Sequence, residues 1–139
     1  MFRTIVVPVD LTDRNRPAVE MAAKLSTPSQ GTIHLLHVIE TIPGFSVEEE
    51  PEFYGRLEKR ATEHLDSLSA PLSERGIRFE ADVIYGARAK TILEEVIRIG
   101  ADLLVIQSHR IDGERRGEGL GTLSHQVGLF APCPVLLVR

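Results

Sequence analysis

Short runs of β-branched and aliphatic residues alternate with segments of helical period along this chain, and that alternation restricts its fold more than any other feature. Residues 4–9, 32–38, 77–84, 101–106 and 135–138 read as strands. The first is continuous rather than alternating in hydrophobicity, as expected of a strand buried on both faces. Pro8 cannot donate to a sheet ladder, and its position near the carboxyl end of this run makes it tolerable. Between the runs, apolar residues recur every three or four positions: Ala18, Met21, Ala22 and Leu25, then Phe53, Leu57, Ala61, Leu65, Leu68 and Leu72, then Ile92, Leu93, Val96 and Ile97, then Leu123, Val127 and Phe130. Each set is one face of an amphipathic helix. Pro17 suits a first helical turn, while Pro28 with Gly31, then Gly76, then Gly100 close the first three helices.

The order β-α-β-α-β-α-β-α-β predicts an α/β fold: a single doubly wound, five-stranded parallel sheet, Rossmann-like, with helices on both faces and right-handed crossovers. Nothing divides residues 1–139 into more than one domain. Ligands on such sheets bind beyond the carboxyl ends of the strands, where the winding direction reverses.

With 42% hydrophobic and 26% charged residues the composition is that of a globular domain, and the formal charge is −4. A mildly acidic surface offers no field for nucleic acid or an anionic membrane, so neither is expected as a partner. No run approaches the roughly 20 apolar residues of a membrane span, and residues 4–9 are too short for a signal-peptide core. Cys133 is the only cysteine, which fits a reducing compartment, and a cytoplasmic location is expected. His34 and His37, three apart on a strand, point to opposite faces, and no local pair suggests a metal site.

The loops exclude several doubly wound chemistries. The loop after strand one, Asp10-Leu11-Thr12-Asp13-Arg14-Asn15-Arg16, has no glycine, so a dinucleotide fingerprint is missing, as is a flavodoxin-type phosphate loop. The Gly-Lys-Ser/Thr of a P-loop is absent, and strand three ends in Tyr85-Gly86 rather than the carboxylate of a receiver domain. The glycines gather instead after strand four, where residues 107–121 hold Gly113, Gly117, Gly119 and Gly121 of the chain's 11. Gly119-Leu120-Gly121-Thr122-Leu123-Ser124 opens a helix there. Glycines let backbone amides approach an anion, a helix N-terminus presents unpaired N–H groups, Thr122 and Ser124 add hydroxyls, and Arg110 a fork-shaped cation. Gly121-Thr122 reads equally as a plain helix cap.

Four stretches together resemble the universal stress protein family: Ile5-Val6-Val7-Pro8-Val9-Asp10, Leu36-His37-Val38-Ile39, Asp102-Leu103-Leu104-Val105-Ile106, and the ending from Ala131-Pro132-Cys133-Pro134 to Arg139. The family's motif is Gly-x2-Gly-x9-Gly-Ser/Thr. Here its glycine positions fall on Gln107, Arg110 and Gly121, followed by Thr122, and ten residues rather than nine separate Arg110 from Gly121. The Ser108-His109-Arg110 triplet is similar to one branch of that family.

The resemblance implies an adenine nucleotide alpha hydrolase-like fold and an adenine nucleotide ligand: ATP, or AMP or ADP, with Mg2+ carried by the nucleotide. Pro8 and Val9 would lead into Asp10 at the ribose or adenine end. Val38 would pack on adenine, Ile106 and Gln107 would flank the sugar, and Ser108, His109 and Arg110 would meet the phosphates with Gly119, Gly121, Thr122, Leu123 and Ser124. Plainer roles stand beside these: Asp10 as a turn carboxylate, Val38 as a core valine. The family pairs its last strand across a two-fold axis, so a homodimer through Val135–Val138 is expected. The replaced glycines leave an alternative, a protein-interaction adaptor that binds no nucleotide. No carboxylate base stands near the phosphate positions, so catalysis would be at most a slow ATPase or autophosphorylating activity.

Overall fold

The computed structural model describes residues 1–108 and 122–139. Five strands, β1 (Thr4–Pro8), β2 (Thr32–Ile39), β3 (Arg78–Tyr85), β4 (Leu103–Gln107) and β5 (Val135–Val138), form one parallel sheet in the order β3-β2-β1-β4-β5. The described helices are α1 (Arg16–Ser26), α2 (Pro51–Glu74), α3 (Arg88–Ile99) and α4 (Leu123–Phe130).

Strand alternation divides the core in two. Ile5, Val7, Ile33 and Leu35 pack under Ala18 and Ala22 of α1 and Leu65, Leu68 and Leu72 of α2. Val6, Leu36, Val38 and Leu104 pack under Ile92 and Val96 of α3 and Val127 of α4. The continuous apolar character of β1 is therefore the mark of a central strand covered on both faces.

Helical faces departed from expectation in detail. On α1 the buried stripe runs through Val19 and Ala23 as well as Ala18 and Ala22, while Met21 lies at the rim. On α2 the fully buried Tyr54 joins the expected residues. Phe130, read as part of the same face of the last helix, is instead 71% exposed at the final residue of α4, beyond the one turn that Val127 buries. The fourth strand begins at Leu103 rather than residue 101, since the Asp102 carboxylate leaves the ladder line to accept from the Arg3 and Thr4 amides at 2.9 and 3.1 Å.

Pro8 explains how the sheet opens. Thr4 O accepts from Asp102 N on the β4 side, whereas Arg3 O accepts from Thr32 N and Val9 N donates to Leu36 O on the β2 side. Even-numbered residues of β1 thus turn their polar groups to β4 and odd-numbered ones to β2. Pro8, being even, lacks its donor only toward β4, and the β1–β4 register already ends at Val6–Leu104. The β2 ladder is untouched, and the two central strands part at their carboxyl ends. There the winding reverses: α1 and α2 cover one face, α3 and α4 the other.

Candidate functional site

The parted ends of β1 and β4 open into a cleft of about 590 Å³, within the roughly 300–1,000 Å³ range of small-ligand sites. Every expected site residue that the structure describes borders it: Pro8, Val9, Asp10, Val38, Ile106, Gln107, Ser108, Thr122, Leu123 and Ser124. His109, Arg110, Gly119 and Gly121 lie outside the described residues. Sequence reasoning missed Arg14, Asn15, His37, Arg88, His125 and Arg139, which also line the cleft.

The β1–α1 loop is built around Asp10. Its Oδ1 accepts from Thr12 N (2.9 Å), the Thr12 hydroxyl (2.5 Å) and Asn15 Nδ2 (2.6 Å), so the turn-carboxylate role is real. Asn15, only 3% exposed, also donates to Asp10 O and Thr12 O, and His64 of α2 donates from Nε2 to Thr12 O at 3.0 Å. Burial works to raise the Asp10 carboxyl, but the Thr12 and Asn15 hydrogen bonds and the Arg14 charge outweigh it and hold it below its ordinary 3.8. Asp10 is thus an anion at neutral pH. Its Oδ2 has no hydrogen-bond partner among the described residues and is free to accept from a ligand hydroxyl.

His37 donates from Nδ1 to Val9 O at 2.9 Å. That bond fixes the tautomer and leaves Nε2 as an acceptor. Burial, with the Arg88 charge, pushes His37 below its ordinary 6.5 against the pull of the Val9 carbonyl and Asp10. The imidazole is therefore neutral at physiological pH.

On the opposite wall Gln107 is held at both ends of its amide. Its Oε1 accepts from Ala18 N at 3.0 Å and its Nε2 donates to Val138 O at 3.1 Å, where Ser108 N also donates. This side chain braces α1 against the end of β5 as part of the wall. Thr122 is the N-cap of α4, accepting from His125 N, as the plainer reading of that residue held. With Gln126 N bonded to Thr122 O, Leu123 and Ser124 supply the remaining amide donors of the first turn. Ser124 Oγ lies 3.3 Å from Thr122 Oγ1.

Among the described residues that line the cleft, Arg14, Arg88 and Arg139 are cationic and Asp10 is a carboxylate, with Arg88 paired to Glu40 at 3.5 Å. Guanidinium groups at the rim of a cleft can meet an anionic ligand. Among the described residues no group of three or more His, Cys, Asp or Glu side chains is disposed to hold a metal, and no helix is long and apolar enough to cross a membrane.

Comparison with known proteins agrees along the full length. The family model described as "Universal stress protein family" matches residues 1–139. A universal stress protein of Thermus aquaticus is 30% identical, and YxiE of Bacillus subtilis 28%, each with all of both chains covered. The universal stress protein of Archaeoglobus fulgidus, solved in complex with dAMP, superposes with a TM-score of 0.73 at 19% identity, covering 99% of this chain and 98% of its own. Another, solved in complex with cAMP, gives 0.69 at 21% identity, covering 99% and 97%. With the whole chain matched by the family model and the same α/β fold in these relatives, the protein belongs to the universal stress protein family.

Proposed function

We propose that this protein is a cytoplasmic signalling module, one domain over residues 1–139, that binds an adenine nucleotide in the β1/β4 cleft: ATP, or AMP or ADP, with Mg2+ carried by the nucleotide. One observation carries the reading: the candidate residues within the described segments all border one cleft. The dAMP and cAMP complexes of structural relatives support it. In this reading the purine lies on Val38, Asp10 Oδ2 accepts a ribose hydroxyl, and Ser124 with the Leu123 and Ser124 amides meets phosphate. Ile106, Gln107 and Ser108 wall the sugar, and His109, Arg110, Gly119 and Gly121 complete the phosphate side. A ligand that binds only the folded state stabilises it by about 2.7 kcal/mol at one hundred times its Kd. Saturating ATP–Mg2+ or AMP should therefore raise Tm, with matching heat in calorimetry. Absence of both at millimolar nucleotide would refute the reading.

A second reading, an adaptor that binds no nucleotide, is favoured by Gln107. Where the family's motif has glycine, this residue sets a full side chain into the cleft wall. Mass spectrometry of the denatured, freshly purified protein separates the two, since only the first expects co-purified adenine nucleotide.

We further propose a homodimer through β5. The two sheet edges differ. β3 carries Arg78, Glu80 and Asp82, all exposed, and charged edges resist pairing. β5 carries no charge and leaves Leu137 44% exposed, after a helix end whose Leu129 and Phe130 are also exposed. Light scattering is expected to give a dimer for the native chain and a monomer for Leu137→Glu. A native monomer at tens of micromolar, or a dimeric variant, would exclude this interface.

A further inference from the structure

Arg88 occupies a position that helix physics disfavours. It is the first residue of α3, where the macrodipole is positive and a cation destabilises. The first turn contains no acidic residue, and the N-cap, Ala87, offers no side-chain cap. Lys90 in the same turn is balanced by Glu94 one turn on, at 3.9 Å. Arg88 instead reaches out of its helix to Glu40, just beyond β2, with Nε 3.5 Å from Oε1. Both side chains are about half exposed, at 50% and 54%, and an ion pair so exposed contributes little. Helix stability therefore does not explain this arginine. Locally unfavourable choices of this kind gather at functional sites.

Its surroundings say what it faces. Gly86 N donates to Ile39 O at 3.1 Å, which brings the start of α3 against the end of β2. A Cβ on Gly86 would stand 2.3 Å from Thr91 Oγ1, so the turn is closely packed. The guanidinium therefore stands at the β2 end of the cleft, held toward Glu40, and its charge is felt at His37. The same cleft is lined by apolar Val38, Leu36 and Ile92, each under 5% exposed, and Ile92 lies one turn on from Arg88 along α3. A planar cation beside an apolar floor makes a slot for a flat aromatic ring.

We propose that Arg88 is a base-contacting residue, its guanidinium lying flat on the purine face opposite Val38 and Ile92, with Glu40 beside it. The proposal rests on the adenine-nucleotide reading and deepens it by assigning the base its second wall. A guanidinium stacks as well as attracts, whereas an ammonium only attracts.

Calorimetric titration of AMP, ADP and ATP into the native protein, Arg88→Ala and Arg88→Lys tests it. Loss of a desolvated cation–ring contact should weaken all three nucleotides in Arg88→Ala by the same factor, about fivefold, with little recovery in Arg88→Lys. An exposed side chain at a helix start leaves folding intact, which circular dichroism checks. Unchanged affinity in Arg88→Ala overturns the assignment. So does a loss that grows from AMP to ATP, or full rescue by lysine, since either makes Arg88 a phosphate contact. If the native protein binds none of the three, the nucleotide reading fails and this one with it. If it binds them and Arg88→Ala is silent, only this one fails.

Discussion

Replacing Tyr54 with alanine is expected to cost about 3–5 kcal/mol of stability, the range for emptying a buried large aromatic site. Tyr54 is fully buried in the first turn of α2. Its hydroxyl donates to Phe45 O and accepts from Ile42 N at 3.0 Å, so one side chain ties down the loop that follows β2. Phe53 meets its ring edge-on at 5.1 Å and Tyr85 at 6.0 Å. Such pairs add about 0.5–1.5 kcal/mol beyond area burial. Tyr85 is itself anchored, its hydroxyl donating to Glu58 Oε2 at 2.8 Å, and burial with that carboxylate pushes it up to about 12. Tyr54→Phe separates packing from hydrogen bonding: it keeps the ring but strands a carbonyl and an amide, for an expected cost of about 1–3 kcal/mol. Urea denaturation of the three proteins reads both numbers. A phenylalanine variant as stable as the native chain would show that water serves the Phe45 carbonyl and Ile42 amide equally well.

That loop shows where the amino-acid sequence is informative and where it is silent. Residues 41–52 carry Pro43, Gly44 and three consecutive glutamates, the composition of a surface loop, and they are one, apart from the start of α2 at Pro51. Yet nothing local says that Tyr54 belongs beneath it, because its partners Ile42 and Phe45 lie on a separate segment. The strands were legible because a β-branched run between polar turns carries its own signal. So was the cleft, since alternating strands and helices force a reversal of winding and a ligand site at that reversal. Residue-level burial was less legible. Met21 fits the helical period as well as Val19 does, and only the position of the sheet decides between them. Phe130 fits its period too, but the helix ends there. Asn15 sits between two arginines in a polar loop and resembles solvated chain. Its role depends on Asp10 and Thr12 folding back over it, although Asp10-x-Thr12 is a spacing that forms such turns. Arg88 left a trace in the sequence, a cation at a helix start without a balancing acid. Its meaning required the neighbouring strand end.

Asn15→Ala should lower stability by about 1–3 kcal/mol, because it removes the partner of both Asp10 O and Asp10 N in a part-buried turn. Asp10 O and Asp10 Oδ1 each lose a donor, and Thr12 O keeps only His64. The pH dependence distinguishes this cause from simple cavity formation. Asp10 titrates below its ordinary 3.8 in the folded protein. A group with a depressed folded pKa contributes stability that is present above its unfolded value and is lost as pH falls through the folded one. The native chain therefore spends that contribution only under strongly acidic conditions, below 3.8. Removing Asn15 takes away one of the bonds that hold the carboxyl down, so its folded pKa rises toward the ordinary value and less stability is lost on acidification, while the onset of the loss, set by the unfolded chain, stays in place. Asp10→Asn, which cannot ionise, should flatten the same limb. Urea midpoints measured from neutral pH downward, together with the NMR titration of the Asp10 carboxyl, check both. An Asn15→Ala protein whose acid limb coincides with the native one would mean that Thr12 alone sets the charge of Asp10. The loop would then hold its anion without the buried amide.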